Sequence, residues 1–305
     1  AEARRQAHQE AATAADDGHV SPGALDEIDD YVEGQLGANR LPAAALAVVD
    51  RDGPLQLRGF GEARSGEAAT EHTPFVLCSV SKSFTALAVM QLVEDGSVGL
   101  DAPVQRYLPW FEVVPADESA EVTVRQLLNQ TSGVSADAGG DELRFLTDAS
   151  ILEAARTLIG AELDGVPGKS FEYANGNYVL LGAIIEEVSG ESYQEYLQVN
   201  VLDPLRMRDT FTAIEPARDA GLADGHRYWF GWTAPHTSYA EALLPAGAII
   251  STAADMGRYM RMYLNDGELD GERVLSREGI REMETPAAEA EVGPWSKGGD
   301  VAYGM

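Results

Sequence analysis

Residues 75–86 read FVLCSVSKSFTA and are followed by the apolar run LAVMQLV at residues 87–93. At the centre of this stretch is a Ser-x-x-Lys pattern formed by Ser79 and Lys82. If a helix runs from Ser79 to about Glu94, three residues advance the chain by most of one turn, so both side chains project from the same face. This geometry would let an amine activate a hydroxyl, because a serine needs a base within hydrogen-bond reach to act as a nucleophile.

A lysine can serve as that base only if burial or neighbouring charge lowers its pKa. The N-terminus of the predicted helix supplies a positive field, and its free N–H groups can also hold a developing oxyanion. Taken alone, Ser-x-x-Lys is a common pattern, and an ordinary helix start with a capping serine and a solvated lysine explains it as well. The pattern therefore needs a second motif before it indicates catalysis.

The charge of the chain is strongly negative. Its 305 residues include 50 acidic against 22 basic side chains, a formal net charge of −28. Such a surface repels nucleic acid and anionic membranes, so we expect neither as a partner. Because a salt-rich medium would screen the self-repulsion, the composition predicts a halophilic protein, with an acidic protein from a low-salt environment as the alternative.

Several site classes find no support in the residue pattern. Cys78 is the only cysteine, so no disulfide can form within the chain. The five histidines lack metal-ligand spacing and have no glycine-flanked nucleophile near them, so we expect no metal, no other cofactor and no Ser-His-Asp triad. No apolar run reaches the length of a membrane-spanning helix, which predicts a soluble protein.

The N-terminal residues 1–20 are polar and alanine-rich, and they begin with Ala1 rather than Met. We expect this segment to be a flexible leader region without a signal-peptide core. An export signal could already be missing before it. The pattern leaves the compartment and the oligomeric state open.

Apolar periodicity predicts the secondary structure. Alternating runs at residues 43–50 and 55–61 flank the turn sequence RDGP and predict a β-hairpin. The apolar residues 248–250 indicate a buried strand or turn. Helical spacing predicts helices at residues 24–36, 122–128, 148–159, 178–188, 192–201 and 255–264.

A second motif, Tyr173-Ala174-Asn175, lies in the setting FEYANGNY at residues 171–178. With Ser79 and Lys82 before it, the chain resembles the serine β-lactamase and penicillin-binding-protein superfamily, most closely the class C β-lactamase-like serine hydrolases. The segments VRQLLNQTSG at 124–133 and PAGAIISTAADM at 245–256 resemble the same family. Four segments in the family's order are far more specific than one Ser-x-x-Lys.

The resemblance implies a role for each of four residues. Ser79 would attack the acyl carbon, Lys82 would share its proton, Tyr173 would act with Lys82 as general acid and base, and Asn175 would orient the substrate. Acyl transfer needs a proton to move from the attacking hydroxyl to the leaving group, and a lysine–tyrosine pair can carry it. A phenol with a pKa of about 10 is a poor base, so Lys82 would have to favour the phenolate or relay the proton.

The resemblance also implies a fold of mixed α and β class, of the β-lactamase/transpeptidase type. We expect an antiparallel sheet flanked by helices, together with a mainly helical subdomain. The α/β part would comprise residues 21–75 and 240–305. The helical part, residues 76–239, would carry both motifs, and the site would lie between the two parts.

The sequence departs from the family at its end. The family's third motif, Lys-Thr-Gly or His-x-Gly, follows a segment like VAYGM, residues 301–305, where this sequence stops. Lys297-Gly298-Gly299 and His236-Thr237-Ser238 have suitable composition in the wrong context. We therefore expect a C-terminally truncated chain that lacks later strands and one oxyanion donor, and that is poorly soluble or inactive on its own.

Each candidate residue has a competing structural explanation. Tyr173 could be a core tyrosine before a helix, and Asn175 could be the helix N-cap. Cys78 lies four residues before Lys82 and is a rival nucleophile, since a thiol is intrinsically more reactive. Small residues occupy its position in the family, which favours a structural cysteine.

The predicted function is that of a serine hydrolase. Its substrate would be a carboxylic ester, a β-lactam or a D-amino-acid peptide, with esterase or peptidase activity favoured over true β-lactamase activity. The alternative is a protein that is acylated without turnover, as in a β-lactam sensor, or a pseudoenzyme with a structural role. A burst of product without a steady state would identify the sensor.

Overall fold

The computed structural model describes residues 20–136, 138, 149–229, 232–235, 239–290 and 299–303. The helices are α1 Pro22–Asn39, α2 Ser81–Glu94, α3 Val124–Leu128, α4 Ile151–Arg156, α5 Asn175–Ser189, α6 Tyr193–Leu197, α7 Ile214–Asp219, α8 Ala253–Leu264 and α9 Arg277–Glu284. The strands are β1 Ala43–Val49, β2 Pro54–Arg64, β3 Glu67–Ala68, β4 Phe75–Val76, β5 Val113–Val114, β6 Ala161–Glu162, β7 His226–Trp229, β8 Trp232–Pro235, β9 Ile250–Ser251, β10 Glu268–Leu269, β11 Glu272–Arg273, β12 Ala288–Ala290 and β13 Gly299–Val301.

The predicted hairpin forms the main antiparallel sheet. Strands β1 and β2 pair in antiparallel register, and β3 extends the sheet in the order β1-β2-β3. The turn between β1 and β2 closes because the Asp50 carboxylate accepts hydrogen bonds from the backbone N–H groups of Asp52 and Gly53, both at 2.8 Å. Such a side-chain bond to the following backbone is a common aspartate device in turns.

Helices flank this sheet. Helix α1 begins at the Ser21 cap, whose hydroxyl accepts from the Ala24 N–H, and it carries Asp29, which accepts from Gln56 and Arg58 of β2. Helix α8 packs against β1, where Gly257 lies in close contact with Val49. The fold is therefore of mixed α and β class with an antiparallel sheet between helices, as predicted.

The hydrophobic core lies around α2 and α5. Both helices are buried over most of their length, because their apolar residues extend all round rather than along one stripe. Helix α5 ends at Gly190, whose φ of 74° is the left-handed conformation that glycine adopts without strain. None of the helices in the described ranges is both long and apolar enough to cross a bilayer.

Several helix boundaries differ from the prediction, and the helix expected over 148–159 is the shorter α4, Ile151–Arg156. The helix expected from Ser79 begins at Ser81, and Cys78–Val80 form a separate 3-10 turn. The turn is set by Cys78, whose φ of 49° cannot belong to an α-helix. The helix expected over 192–201 is α6 followed by a wider π-type turn, Gln198–Leu202.

The chain returns to the start of α2 late in the sequence. Strand β4 pairs with β9, so that the strip Leu244–Ala248 just before β9 lies beside the Cys78–Val80 turn. The Leu77 N–H donates to the Ile249 carbonyl at 2.8 Å and extends this pairing. The two alternative third motifs, at Lys297 and His236, lie outside the described residues.

Candidate active site

Ser79 lies in the Cys78–Val80 turn, immediately before α2, and its side chain is exposed. Lys82 lies in the first turn of α2 and is fully buried. Tyr173 and Asn175 come from the junction that leads into α5. The structure therefore brings all four predicted residues together from two separate segments of the chain.

The Ser79 hydroxyl is the meeting point of the other groups. The Tyr173 hydroxyl donates to Ser79 Oγ at 2.6 Å, and Lys82 Nζ lies 3.4 Å from the same oxygen. Tyr173 is 37% exposed and is hydrogen-bonded to Ser79, so it is not a core tyrosine. A nucleophile, a possible base and a proton donor are thus within direct reach of one another.

Lys82 Nζ makes two shorter hydrogen bonds than the one to Ser79. It donates to Asn175 Oδ1 at 2.8 Å and to the backbone carbonyl of Ala246 at 2.6 Å. Burial lowers the pKa of Lys82 from 10.5 to about 8, an effect that Cys78 partly opposes. A larger fraction of this amine than of an ordinary lysine is therefore neutral, and able to accept a proton, near neutral pH.

The pKa of Tyr173 is shifted in the opposite direction. Burial raises the pKa of its phenol, while the hydrogen bond to Ser79 lowers it. Lys82 Nζ lies 4.8 Å from the centre of the Tyr173 ring, which is a cation–π contact. Because the net pKa shift is upward, Tyr173 is a neutral phenol at neutral pH, and a resting phenolate is disfavoured.

Asn175 is the first residue of α5, and the N-cap is Ala174. The alternative that Asn175 caps the helix is therefore wrong. Its side chain instead accepts from Lys82 and lines the cleft beside Ser79. Asn175 therefore holds the Lys82 amine from the side of the cleft.

Gln130 holds the junction that carries Tyr173 and Asn175. Its side-chain carbonyl accepts from the Ala174 N–H at 3.1 Å and from Asn177 Nδ2 at 2.7 Å, and its backbone carbonyl accepts from the Glu172 N–H at 2.8 Å. Gln130 is fully buried and has a φ of 61°, which costs energy for a residue other than glycine. Local residue patterns do not identify Gln130 as a site residue. Only its place in segment 124–133, which resembles the family, points to it.

Helix α2 also holds the strip that supplies the Ala246 carbonyl. Thr85, one turn after Lys82, donates to the Pro245 carbonyl at 2.7 Å, and Ser81 Oγ accepts from the Ile249 N–H at 3.1 Å. Tyr193 lies 2.7 Å from Thr85 Oγ1, and because the threonine proton goes to Pro245, Tyr193 must donate. These contacts were not predicted, since no local pattern links residue 85 to residues 193 and 245.

A cleft of about 260 Å³ opens beside Ser79. Cys78 is exposed on it, next to Ser79, and makes no described hydrogen bond to Lys82. The lining residues are Val76, Cys78, Ser79, Asn175, Tyr239, Ala240, Leu243, Ala246, Gly247 and Ala248.

A model of the beta-lactamase family matches residues 28–305 of the chain. Among curated proteins, the chain is similar to penicillin-binding protein 4 of Amycolatopsis lactamdurans, with 34% identity over 245 residues, 78% of this chain and 64% of the relative. It is also similar to protein flp of Staphylococcus aureus strain MW2, with 26% identity over 277 residues. That match covers 89% of this chain and 55% of the relative, so the chain spans about half to two thirds of the length of these relatives.

Among solved structures, the chain is similar to the octameric penicillin-binding protein homologue from Pyrococcus abyssi. The TM-score is 0.79 at 27% sequence identity, and the match covers 92% of this chain and 64% of that one.

Proposed function

The chain belongs to the beta-lactamase family of serine hydrolases, and we propose that it cleaves its substrate through an acyl-enzyme on Ser79. The observation that carries this proposal is the contact of Ser79 Oγ with both the Tyr173 hydroxyl, at 2.6 Å, and Lys82 Nζ, at 3.4 Å. A hydroxyl with a base and a proton donor on the same oxygen is arranged for nucleophilic catalysis.

The hydrogen bonds favour a particular proton arrangement before reaction. A neutral lysine amine has two N–H groups and one lone pair. The two N–H groups go to Asn175 Oδ1 and the Ala246 carbonyl, neither of which can donate to the amine. The lone pair then faces Ser79, whose oxygen accepts from Tyr173 and whose own proton is free to point at Lys82.

In the acylation step, Ser79 Oγ forms a bond to the acyl carbon while its proton passes to Lys82. The bond from the acyl carbon to the leaving group then breaks, and the leaving group takes a proton from the Lys82–Tyr173 pair. The Ser79 N–H is a candidate to hold the negative charge on the carbonyl oxygen.

In the hydrolysis step, water attacks the acyl carbon and gives a proton to the same pair. The bond between Ser79 Oγ and the acyl carbon breaks, and Ser79 recovers its proton. The products are a carboxylic acid and the regenerated enzyme. A carboxylic ester, a β-lactam and a D-amino-acid peptide all fit this sequence of bond changes.

The direct test is covalent labelling of Ser79. An uncharged fluorophosphonate should label the full-length protein once, and peptide mass spectrometry should place the label on Ser79. Ser79→Ala should lose the label, and Lys82→Met should slow labelling on the order of a hundredfold or more, the size expected for a lost general base.

The matched control is Cys78→Ala, which removes the neighbouring nucleophile and should leave labelling intact. A label on Cys78, or labelling that survives Ser79→Ala, would contradict the assignment. Hydrolysis of 4-nitrophenyl butyrate and of nitrocefin then separates turnover from acylation alone, since a burst without a steady state indicates an acylated protein that does not release product.

A further inference from the structure

Gln130 is hydrogen-bonded to both chain neighbours of Tyr173. Its backbone carbonyl accepts from the Glu172 N–H at 2.8 Å, and its side-chain carbonyl accepts from the Ala174 N–H at 3.1 Å. One residue therefore fixes the backbone on each side of the tyrosine. The Tyr173 hydroxyl, at the far end of a long side chain, meets Ser79 Oγ at 2.6 Å. A small rotation of the backbone is amplified along such a side chain, which makes this distance sensitive to the bonds with Gln130.

The side-chain amide of Gln130 has only one possible orientation. A backbone N–H can only donate, so the Gln130 atom that faces Ala174 must be the amide oxygen. The same oxygen lies 2.7 Å from Asn177, which must therefore present its Nδ2. Asn177 Oδ1 then faces Ser132 Oγ at 2.7 Å, and this hydroxyl donates to it while accepting from the Val134 N–H at 3.1 Å. What Gln130 supplies at this position is thus an acceptor.

Two features of Gln130 are energetically unfavourable. Its side chain is fully buried, and the amide nitrogen Nε2 has no partner among the described residues. A buried N–H without a partner loses its hydration and gains nothing in return. In addition, its φ of 61° lies in the left-handed region, which residues other than glycine rarely adopt. Backbone strain of this kind clusters at active sites, which points to a role in the reaction rather than in stability.

We propose that Gln130 is a positioning residue for Tyr173 in the acylation step. This inference rests on the proposed function, in which the leaving group takes a proton from the Lys82–Tyr173 pair. Gln130 has no described hydrogen bond to Ser79 or Lys82, and it acts through the backbone on either side of the tyrosine. Loss of its acceptor should therefore impair proton donation to the leaving group more than it impairs attack by Ser79.

The test compares two esters that differ in how strongly the leaving group needs a proton. 4-Nitrophenyl butyrate releases a phenolate that the nitro group stabilises, whereas phenyl butyrate releases a phenolate whose conjugate acid has a pKa of about 10. Gln130→Met removes the acceptor at similar volume. We expect its kcat/KM for phenyl butyrate to fall at least about fivefold further than that for 4-nitrophenyl butyrate, because a displaced acid costs most where the leaving group must be protonated.

Two further substitutions at Gln130 separate its acceptor from its backbone conformation. Asparagine tolerates a positive φ, but its shorter side chain withdraws the oxygen from Ala174, so Gln130→Asn should fold and still change the ester ratio in the same direction. Gln130→Glu keeps an acceptor oxygen at full length. Its ratio of the two kcat/KM values should lie closer to that of the parent than the ratio of Gln130→Met does.

A double substitution assigns the effect to Tyr173. Tyr173→Phe removes the phenol hydroxyl and should change the ester ratio in the same direction as Gln130→Met. In the Tyr173→Phe background, Gln130→Met should change the ratio by less than about twofold, because no hydroxyl is left to position.

Gln91→Met is the matched control. The Gln91 side chain also links distant segments, since it donates to the Asn200 and Val274 carbonyls at 2.9 Å, and its oxygen is likewise buried without a partner among the described residues. Gln91 lies in α2 and does not line the cleft. Its substitution should lower the melting temperature and leave the ester ratio unchanged, because a smaller folded fraction reduces both rates alike.

The outcomes separate this inference from the proposed function. If Gln130→Met and Gln130→Asn lower both kcat/KM values by the same factor, as Gln91→Met should, Gln130 has a structural role only and the inference is wrong. If Gln130→Met changes the ratio equally with and without the Tyr173 hydroxyl, Gln130 acts on another group. If the fluorophosphonate does not label Ser79, the proposed function itself fails.

Discussion

In the described site, Lys82 combines a side chain that can carry a charge with complete burial. Its side chain is fully buried, and burial of an ammonium group is costly unless partners compensate for the lost water. The two oxygen acceptors, Asn175 Oδ1 and the Ala246 carbonyl, and the ring of Tyr173 supply that compensation. The compensation is partial, so the pKa of Lys82 is lowered to about 8 and the amine can lose its proton under mild conditions.

A first prediction concerns pH. Burial depresses the pKa of Lys82, so the neutral amine is the minor form below pH 8 and the major form above it. Because only the neutral amine can accept the Ser79 proton, kcat/KM for 4-nitrophenyl butyrate should rise roughly tenfold per pH unit up to about pH 8 and then level off. A pH–rate profile measures this directly.

Lys82→Arg is the matched variant, since a guanidinium keeps the charge but does not lose its proton. The residual kcat/KM of this variant should not show the rise with pH that levels off near pH 8. If kcat/KM of Lys82→Arg still rises with pH up to about pH 8, the titration belongs to another group. Cys78→Ala provides the second control, because Cys78 lies directly before Ser79 in the same turn.

At the level of elements, the site is built where α2, α5 and the strip Leu244–Ala248 meet. Helix α2 contributes Lys82 and the clamp formed by Ser81 and Thr85, and α5 allows the strip to approach because Gly182 has no side chain. A Cβ on Gly182 would lie 2.4 Å from Pro245 Cγ and 3.1 Å from Ile151 Cγ2. The position of the Ala246 carbonyl therefore depends on a glycine in another helix.

A second prediction follows from this contact. Gly182→Ala should force Pro245 away from α5, lower the free energy of unfolding by about 1–3 kcal/mol and reduce kcat/KM, because the neighbouring Ala246 carbonyl moves from Lys82. Urea unfolding and ester hydrolysis measure the two effects. The pH at which kcat/KM levels off should shift in the same variant that loses activity.

Gly34→Ala is the matched control, because Gly34 also lies in a helix but has nothing within 4 Å of its added Cβ. In a helix interior, alanine is favoured over glycine by about 0.5–1 kcal/mol, so this variant should be as stable as the parent or more stable. Equal effects of the two substitutions would show that the close approach of Pro245 does not matter.

At the level of the whole molecule, the charge of −28 is the dominant property. Described ion pairs such as Arg125 with Asp101 and Arg277 with Asp266 lie at the surface, where each contributes little. Their small contributions cannot offset a general excess of carboxylates. The stability of the folded chain should therefore depend on the ions around it.

A third prediction is that the melting temperature rises as KCl increases from about 0.1 M to about 2 M, because screening removes repulsion that the unfolded chain feels less. Sucrose of matched osmolality is the control, since it favours compact states without screening charge. A melting temperature that falls with KCl, or that rises equally in sucrose, would exclude the halophilic interpretation.

Much of the architecture follows from local patterns. The hairpin β1–β2, helix α1 and helix α8 form within three residues of the bounds that periodicity predicts, because apolar spacing and turn or capping residues coincide there. The start of α2 was predicted two residues too early. Cys78 has a positive φ and its turn packs against Leu244–Ala248, and no residue near 78 signals this conformation.

The candidate site, too, could be predicted from the sequence only in part. Residue types and their order were enough to single out Ser79, Lys82, Tyr173 and Asn175, because a hydroxyl, an amine and a phenol in family-like segments indicate one chemistry. Their protonation and support depend on groups far away in the chain: the Ala246 carbonyl, Gln130 and the Thr85–Tyr193 pair. Short-range patterns identify which groups can react, whereas burial and hydrogen bonds between distant segments set the pKa of Lys82, and these exist only once the chain is packed.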